Sequence, residues 1–528
     1  MLNKLNPTFD YYSQLFSGCE TSDLSDDYTL PDYMPAVGRV ISCSASVTPP
    51  TLYLVSNSIQ LAGGVRYHLL YESADDKSVW CAELPAEYDA LISADPSSLP
   101  SDPAKLSGLT SAIAESVTAR ITAPRRLTVK SRIKLTSSLS AKTEFGLNMR
   151  GELNDTDSIR VLEGRADHSL TVNSLPKLET LTDRITRAEA GLSPTDEVRV
   201  ITSHGYVMLS QIAEFDGGAD CKGEISLSLL ICKDEEGDRP RRITRRLPFS
   251  ISISFEPPLP ANAKPIGSRA YGALPSINTT VGDEGIDIET DLLLFAESSA
   301  VSSFTYVKDM YSRTADCEVS HEAISIMKPL FCKTKNATVS ASADLSELGF
   351  DHPLRICDVV ATLAPDIDTK VNENGRLVIS GKQRFNVVAD NGAELLSKEF
   401  IADFKYTADG VEAIPDEVQT SVITTVSDCR FRVDAGHIEC DSELCFAISV
   451  AEKCEIAPLC EVNVTPLAAN DSRSASIRIC YPSASETLWD LAKRYRVDTD
   501  MIAKKNAIDA TDPTRSALSL TKESFLII

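Results

Sequence analysis

Five cations and a tryptophan crowd a short stretch near the C-terminus: Trp489, Lys493, Arg494, Arg496, Lys504 and Lys505. Such a group breaks no bonds. It attracts carboxylates, and the indole adds an apolar anchor of the kind that dominates interfaces, so the cluster reads as a candidate partner-binding face. Residues 476–528 hold eight Lys or Arg against seven Asp or Glu, which leaves −25 on residues 1–475 of a chain of net charge −24. The bland alternatives are a solvated helix face for the cations and, for Trp489, a cover over a small core.

Patterns for bond-making chemistry are missing. There is no Gly-x-Ser-x-Gly elbow, no phosphate-binding Walker loop, no His-Glu-x-x-His and no Gly-x-Gly-x-x-Gly. The six histidines are dispersed, and His321-Glu322, an adjacent base and acid, falls where a strand should begin and reads as surface. Acidic residues are plentiful enough to leave a glycosidase carboxylate pair open. The fourteen cysteines form no Cys-x-x-Cys pair, and the spacings Cys440 to Cys445 and Cys454 to Cys460 do not suit zinc, so buried reduced thiols are expected. The reading is a protein without catalysis, cofactor or metal. A deep pocket with convergent polar groups would argue for an enzyme instead.

The basic cluster needs helices to present it. Ser485 can cap a first helix in which Leu488, Leu491, Ala492 and Tyr495 follow at i, i+3, i+4 and i+7. Asp498 can cap a second, with Met501 and Ile502 inward and Asn506 closing it, before the apolar strand Phe525-Leu526-Ile527-Ile528. This βααβ run, placed at 475–528, resembles a LysM module. Glycan-binding modules of that kind carry Gly-Asp-Thr where this chain has Ser485-Glu486-Thr487, and a glycine where it has Lys522-Glu523. The departures favour a protein partner over N-acetylglucosamine polymers, because a glycan groove built by close backbone approach favours glycine.

Upstream, one strand pattern recurs as Gly63 to Tyr71, Gly223 to Ile231 and Gly381 to Val388. Each runs into an acidic turn (Glu72 to Asp76, Asp234 to Asp238, Asp390 to Gly392) and then a second extended segment, so hairpins are expected. A second pattern recurs as Leu127 to Leu135, Ile286 to Leu294 and Ile438 to Phe446. Its inward residues alternate alike, whereas the outward ones are basic in the first copy (Lys130, Arg132, Lys134) and acidic in the second (Asp287, Glu289, Asp291), which suggests contacts between domains or molecules. A period near 160 residues means whole domains rather than a solenoid. The expected architecture is mainly β: an N-terminal segment 1–29, three tandem sandwich-like β domains at 30–145, 150–315 and 316–468, a polar linker at 467–474, and the α+β module. Ser93 to Lys105 reads as a long surface loop, and Leu178 to Ala190 has the spacing of a short helix.

The arrangement resembles the SPOCS-domain proteins of endospore-forming bacteria, in which such domains precede a C-terminal LysM module. The resemblance rests on Tyr28-Thr29-Leu30-Pro31-Asp32-Tyr33-Met34-Pro35, which looks like their opening signature, on Arg246 to Ile253, which looks like their central strand, and on Asp309-Met310-Tyr311-Ser312, which looks like the segment closing a domain. It implies a sporulation scaffold in the mother-cell cytoplasm at the forespore surface, in the spore coat. Its LysM module would bind a SpoIVA-like coat morphogenetic ATPase, with other coat proteins as further partners through the β domains. Peptidoglycan binding is the alternative.

Composition limits the partners independently. A charge of −24 disfavours nucleic acid and anionic membrane, since both are bound through clustered cations. The first residues, Met1 to Pro7, lack an apolar core of signal-peptide type, and no run of about 18 apolar residues offers a membrane span, so a cytosolic protein is expected.

Overall fold

The computed structural model describes residues 8–528 except 56–57, 94–98, 101, 103–104, 151–157, 234–238, 257, 261–262, 351–354, 411–413, 416–417, 467–476, 484, 509–511, 513 and 516–524. The chain is mainly β, with two short helices near its C-terminus among the described residues.

Strands β1 (Thr8–Thr29), β2 (Val37–Val47), β3 (Thr51–Val55), β4 (Ser58–Ser73), β5 (Val79–Ser93), β6 (Leu106–Ser107), β7 (Thr110–Ala123) and β8 (Arg126–Gly146) form a first pair of sheets. After β9 (Asn148–Arg150) come β10 (Ile159–Asn173), β11 (Lys177–Thr186), β12 (Val198–Phe215), β13 (Gly218–Lys233), β14 (Arg241–Ser254), β15 (Lys264–Val281) and β16 (Gly285–Ser312). After β17 (Ala315–His321) come β18 (Ile324–Asp344), β19 (Arg355–Leu363), β20 (Asp368–Val371), β21 (Leu377–Asp390), β22 (Leu395–Thr407), β23 (Val418–Asp434), β24 (His437–Ile456) and β25 (Leu459–Pro466).

The same connectivity occurs three times. One sheet centres on β4, β13 or β21, flanked by the strands just before and after it. The facing sheet centres on β8, β16 or β24 and pairs the first strand of the unit with its last. The two recurring sequence patterns are therefore the two centre strands of each unit. Their inward residues, among them Leu127, Val129, Ile133 and Leu135 in β8 and Ile286, Ile288, Leu292 and Leu294 in β16, are all buried. Each such side chain contributes about 1.5–3 kcal/mol.

The glycine that opens each first pattern has a common reason. Gly63, Gly223 and Gly381 stand directly opposite Tyr88, Phe249 and Phe404 on the next strand. A Cβ added there would meet those rings at 2.6, 2.7 and 2.9 Å, closer than real contacts allow. An aromatic ring lies over a bare backbone in all three units, and Tyr88 is pinned by donating to the Thr48 carbonyl at 2.6 Å.

Several expectations are corrected. Residues 8–29 are not a separate segment: β1 pairs along β8 from Thr8↔Gly146 to Thr29↔Arg126. Leu178 to Ala190 is not a helix. Its first part is β11, paired to β16, with Leu178 exposed and Leu181 and Ile185 turned inward at period two; a turn follows. The long β16 ladder outweighs an i, i+3, i+7 coincidence. Arg246 to Ile253 lies in β14, at the end of the β12-β13-β14 ladder rather than its centre. The basic and acidic outer faces do not meet each other, since Arg132 pairs with Asp23 of its own sheet and Asp287 with Arg184; a contact between units does occur, from Lys134 to Asp366 at 2.8 Å. The linker at 467–474, the acidic turn 234–238 and most of the loop 93–105 lie outside the described residues.

Strands β17, β25 and β9 form a small extra sheet between the units. The C-terminal module consists of β26 (Ile479–Cys480), α1 (Leu488–Tyr495), α2 (Thr499–Asn506) and β27 (Leu526–Ile527), with β26 and β27 paired.

Candidate partner-binding site

Helix α1 carries three of the six candidate residues, with Arg496 at its C-cap, and its start is set two residues later than the sequence reading places it. Thr487, not Ser485, is the N-cap: its hydroxyl accepts from the Asp490 amide at 3.1 Å, and the Asp490 carboxylate accepts from the Thr487 amide at 2.9 Å. This reciprocal capping box satisfies two orphan donors. The Thr-x-x-Asp spacing was a legible signal for it. Leu488, Leu491 and Ala492 are buried as expected, with Tyr495 packed against them, and Arg496 ends the helix in the left-handed region at φ 57°.

Helix α2 begins at Asp498, but the Asp498 side chain makes no cap hydrogen bond. Its oxygens instead take the Arg160 and Arg313 guanidinia, the latter at 3.0 Å. Ile502 faces inward, whereas Met501 is 45% exposed, contrary to expectation. Asn506 closes the module by exchanging hydrogen bonds with the Ile527 backbone at 2.7 and 2.8 Å.

The structure divides the candidate residues into two groups. Trp489 is only 6% exposed, so it is not the open aromatic anchor of the first reading. Its ring meets Tyr311 edge-on at 5.0 Å between centroids, and Nε1 donates to Asp309 Oδ2 at 2.8 Å. Lys493 Nζ donates to both oxygens of the same carboxylate at 2.6 and 2.8 Å. Arg496 pairs with Asp316. All three face the β body. Arg494 is paired with Glu486 of the module and remains half exposed, and Lys504 and Lys505 point outward in the last turn of α2, where cations suit the helix dipole.

Tyr311 completes the contact by donating its hydroxyl to the Val497 carbonyl at 2.6 Å. Burial pushes that phenol up to about 12, so it stays a donor at neutral pH. The contact residues that the sequence reading does not name as site residues are on the other side: Asp309, Tyr311, Arg313, Asp316 and Arg160. In the sequence, Asp309 and Tyr311 stand out only as part of the segment that resembles the close of a domain.

Two adjoining cavities of about 290 and 280 Å³ lie where the three units meet, lined by corresponding strands of each (β2, β12, β19 and β7, β15, β23). Asp358 there is flanked by His204 at 3.4 Å and Arg242 at 3.3 Å, whereas His204 Nε2 and Thr424 Oγ1 are buried without a hydrogen-bond partner. Cys43 and Cys81 line them with thiols that burial pushes up to about 12, so neither is a thiolate at neutral pH. His321 is exposed at the end of β17 and lies 2.9 Å from the Lys308 carbonyl. Among the described residues no three His, Cys, Asp or Glu side chains converge as metal ligands, and no helix is long and apolar enough to cross a membrane.

Comparison with family models, with curated proteins and with solved structures finds no match for this chain.

Proposed function

We propose that the protein is a non-enzymatic scaffold of endospore formation whose C-terminal module, read as LysM-like, binds a SpoIVA-like coat morphogenetic ATPase and ties coat assembly to the forespore surface. The three sheet pairs are read as tandem SPOCS-like domains that supply reach, rigidity and further docking surfaces. The observation that carries the reading is the placement of Arg494, Lys504 and Lys505: a β body of strongly negative charge holds a small module with those cations turned away from it. An acidic protein surface is the natural complement, and the body's own charge repels any such partner from sites other than the module.

The test uses the whole chain. Immobilised protein is offered the purified ATPase in one arm and peptidoglycan in the other. The scaffold reading expects capture of the ATPase and its loss on reversing Lys504 and Lys505 to Glu. Retention on peptidoglycan without ATPase capture would replace it with the wall-binding alternative.

A further inference from the structure

Four of the side chains that hold the module belong to one eight-residue stretch, Asp309 to Asp316. Asp309 and Tyr311 lie two residues apart at the end of β16, so the strand presents them on one face, and Arg313 follows in the bend just past it. Each meets a different group of the module. Asp309 receives the Trp489 indole and the Lys493 ammonium; Tyr311 reaches the Val497 carbonyl; Arg313 reaches Asp498 at 3.0 Å. Asp316 then pairs with Arg496. Acid, aromatic and base are read in order by donors, an acceptor and an acid.

The contact has the composition of a reversible one. Among the described residues, Tyr311 and Leu162 are the body side chains that join the apolar cluster of the module; ion pairs and hydrogen bonds make up the contacts beside them. Interfaces of this polar kind between domains of one chain resemble transient complexes rather than cores. The ion pairs are partly open to water, with 33% exposure at Lys493 and 18% at Asp309.

We infer that the module is a reader of extended Asp-x-Tyr-x-Arg segments, and that the chain's own 309–313 segment occupies this site in cis. A partner strand or tail with the same alternation competes for Trp489 and Lys493 and displaces the module from the body. This rests on the reading of the module as a partner-binding element, and it names the chemistry that the docked face accepts. The recognition mode is that of an extended peptide whose alternate side chains give specificity.

The experiment uses the full chain with Trp80→Phe, which leaves Trp489 as the sole tryptophan. Asp309→Asn in that background is expected to shift Trp489 emission to the red as the docked face opens. A synthetic peptide spanning residues 307–318 is then expected to restore the blue emission in trans. The same peptide with Asn at position 309 should bind at least about tenfold more weakly, the loss of one charge-assisted hydrogen-bond set. Lys493→Gln tests the same contact from the module side and should abolish the response to peptide. Emission unchanged by Asp309→Asn, with circular dichroism showing a folded chain, would overturn the inference. So would a peptide that fails to restore emission once the face has opened, or one whose Asn form binds equally well. If the peptide binds and the ATPase does not, the docked face stands as a reader and the choice of partner fails.

Discussion

Arg269 and Glu297 form a two-pronged ion pair, at 2.9 and 3.1 Å, with both side chains only 2% exposed. The remaining guanidinium nitrogen crosses to another unit, donating to the Ser421 carbonyl at 2.8 Å and the Ala447 carbonyl at 3.3 Å. The pair therefore joins β15 and β16 to β23 and β24. Glu297→Gln strands a buried cation and is expected to cost about 3–5 kcal/mol, whereas Arg269→Met with Glu297→Leu removes both charges and should cost clearly less. Denaturant midpoints of the single and double variants check this, and a double variant as unstable as the single would contradict it.

Trp489→Ala should unfold the module and leave the sheets intact. Removing a buried Trp costs about 3–5 kcal/mol. A module of about 50 residues has only about 3–8 kcal/mol of stability to lose. Hydrogen exchange should show protection lost in α1 and α2 and retained in β8, β16 and β24.

Raising salt should loosen the module before anything else. The docking pairs Lys493–Asp309 and Arg313–Asp498 are between about one-fifth and one-third exposed, and screening shortens from about 10 Å at 0.1 M to about 3 Å at 1 M salt. Trp489 emission should therefore move to the red between those salts, while the far-ultraviolet β signal stays constant.

Acid should weaken the centre of the body. Burial lowers the pKa of His204, against a smaller opposing effect of Asp358; burial likewise lowers His68, opposed by Glu83 and reinforced by Arg66 and His204. A folded value below the unfolded one means that the unfolded chain takes up protons first. The stability is present above the ordinary value of 6.5 and is lost as pH falls below it. The melting temperature should decline between pH 7.5 and 5.5, and His204→Gln should flatten the decline.

Thiol labelling should be ordered by burial. Cys19 is exposed, whereas burial pushes Cys440 and Cys445 up to about 12. Iodoacetamide at pH 8 should modify Cys19 first and spare the other two until the chain is unfolded; early labelling of Cys445 would show the third unit to be open.

Alternation at period two determined the centre strands, because a half-buried strand must place every second residue inward; Leu127, Val129, Ile133 and Leu135 could be read off directly. The three glycines marked the facing strands, although the rings that require them, Tyr88, Phe249 and Phe404, became visible only with the pairing register. The helices of the module were legible from their apolar spacing. Local spacing misled at Leu178 to Ala190, where a ladder along β16 decides the conformation and a linear pattern carries no record of it. The fate of the basic cluster was decided by tertiary structure alone. Trp489 and Asp309 stand 180 residues apart, and whether a Trp and a Lys on a helix meet water or a carboxylate depends on which surface folds against them.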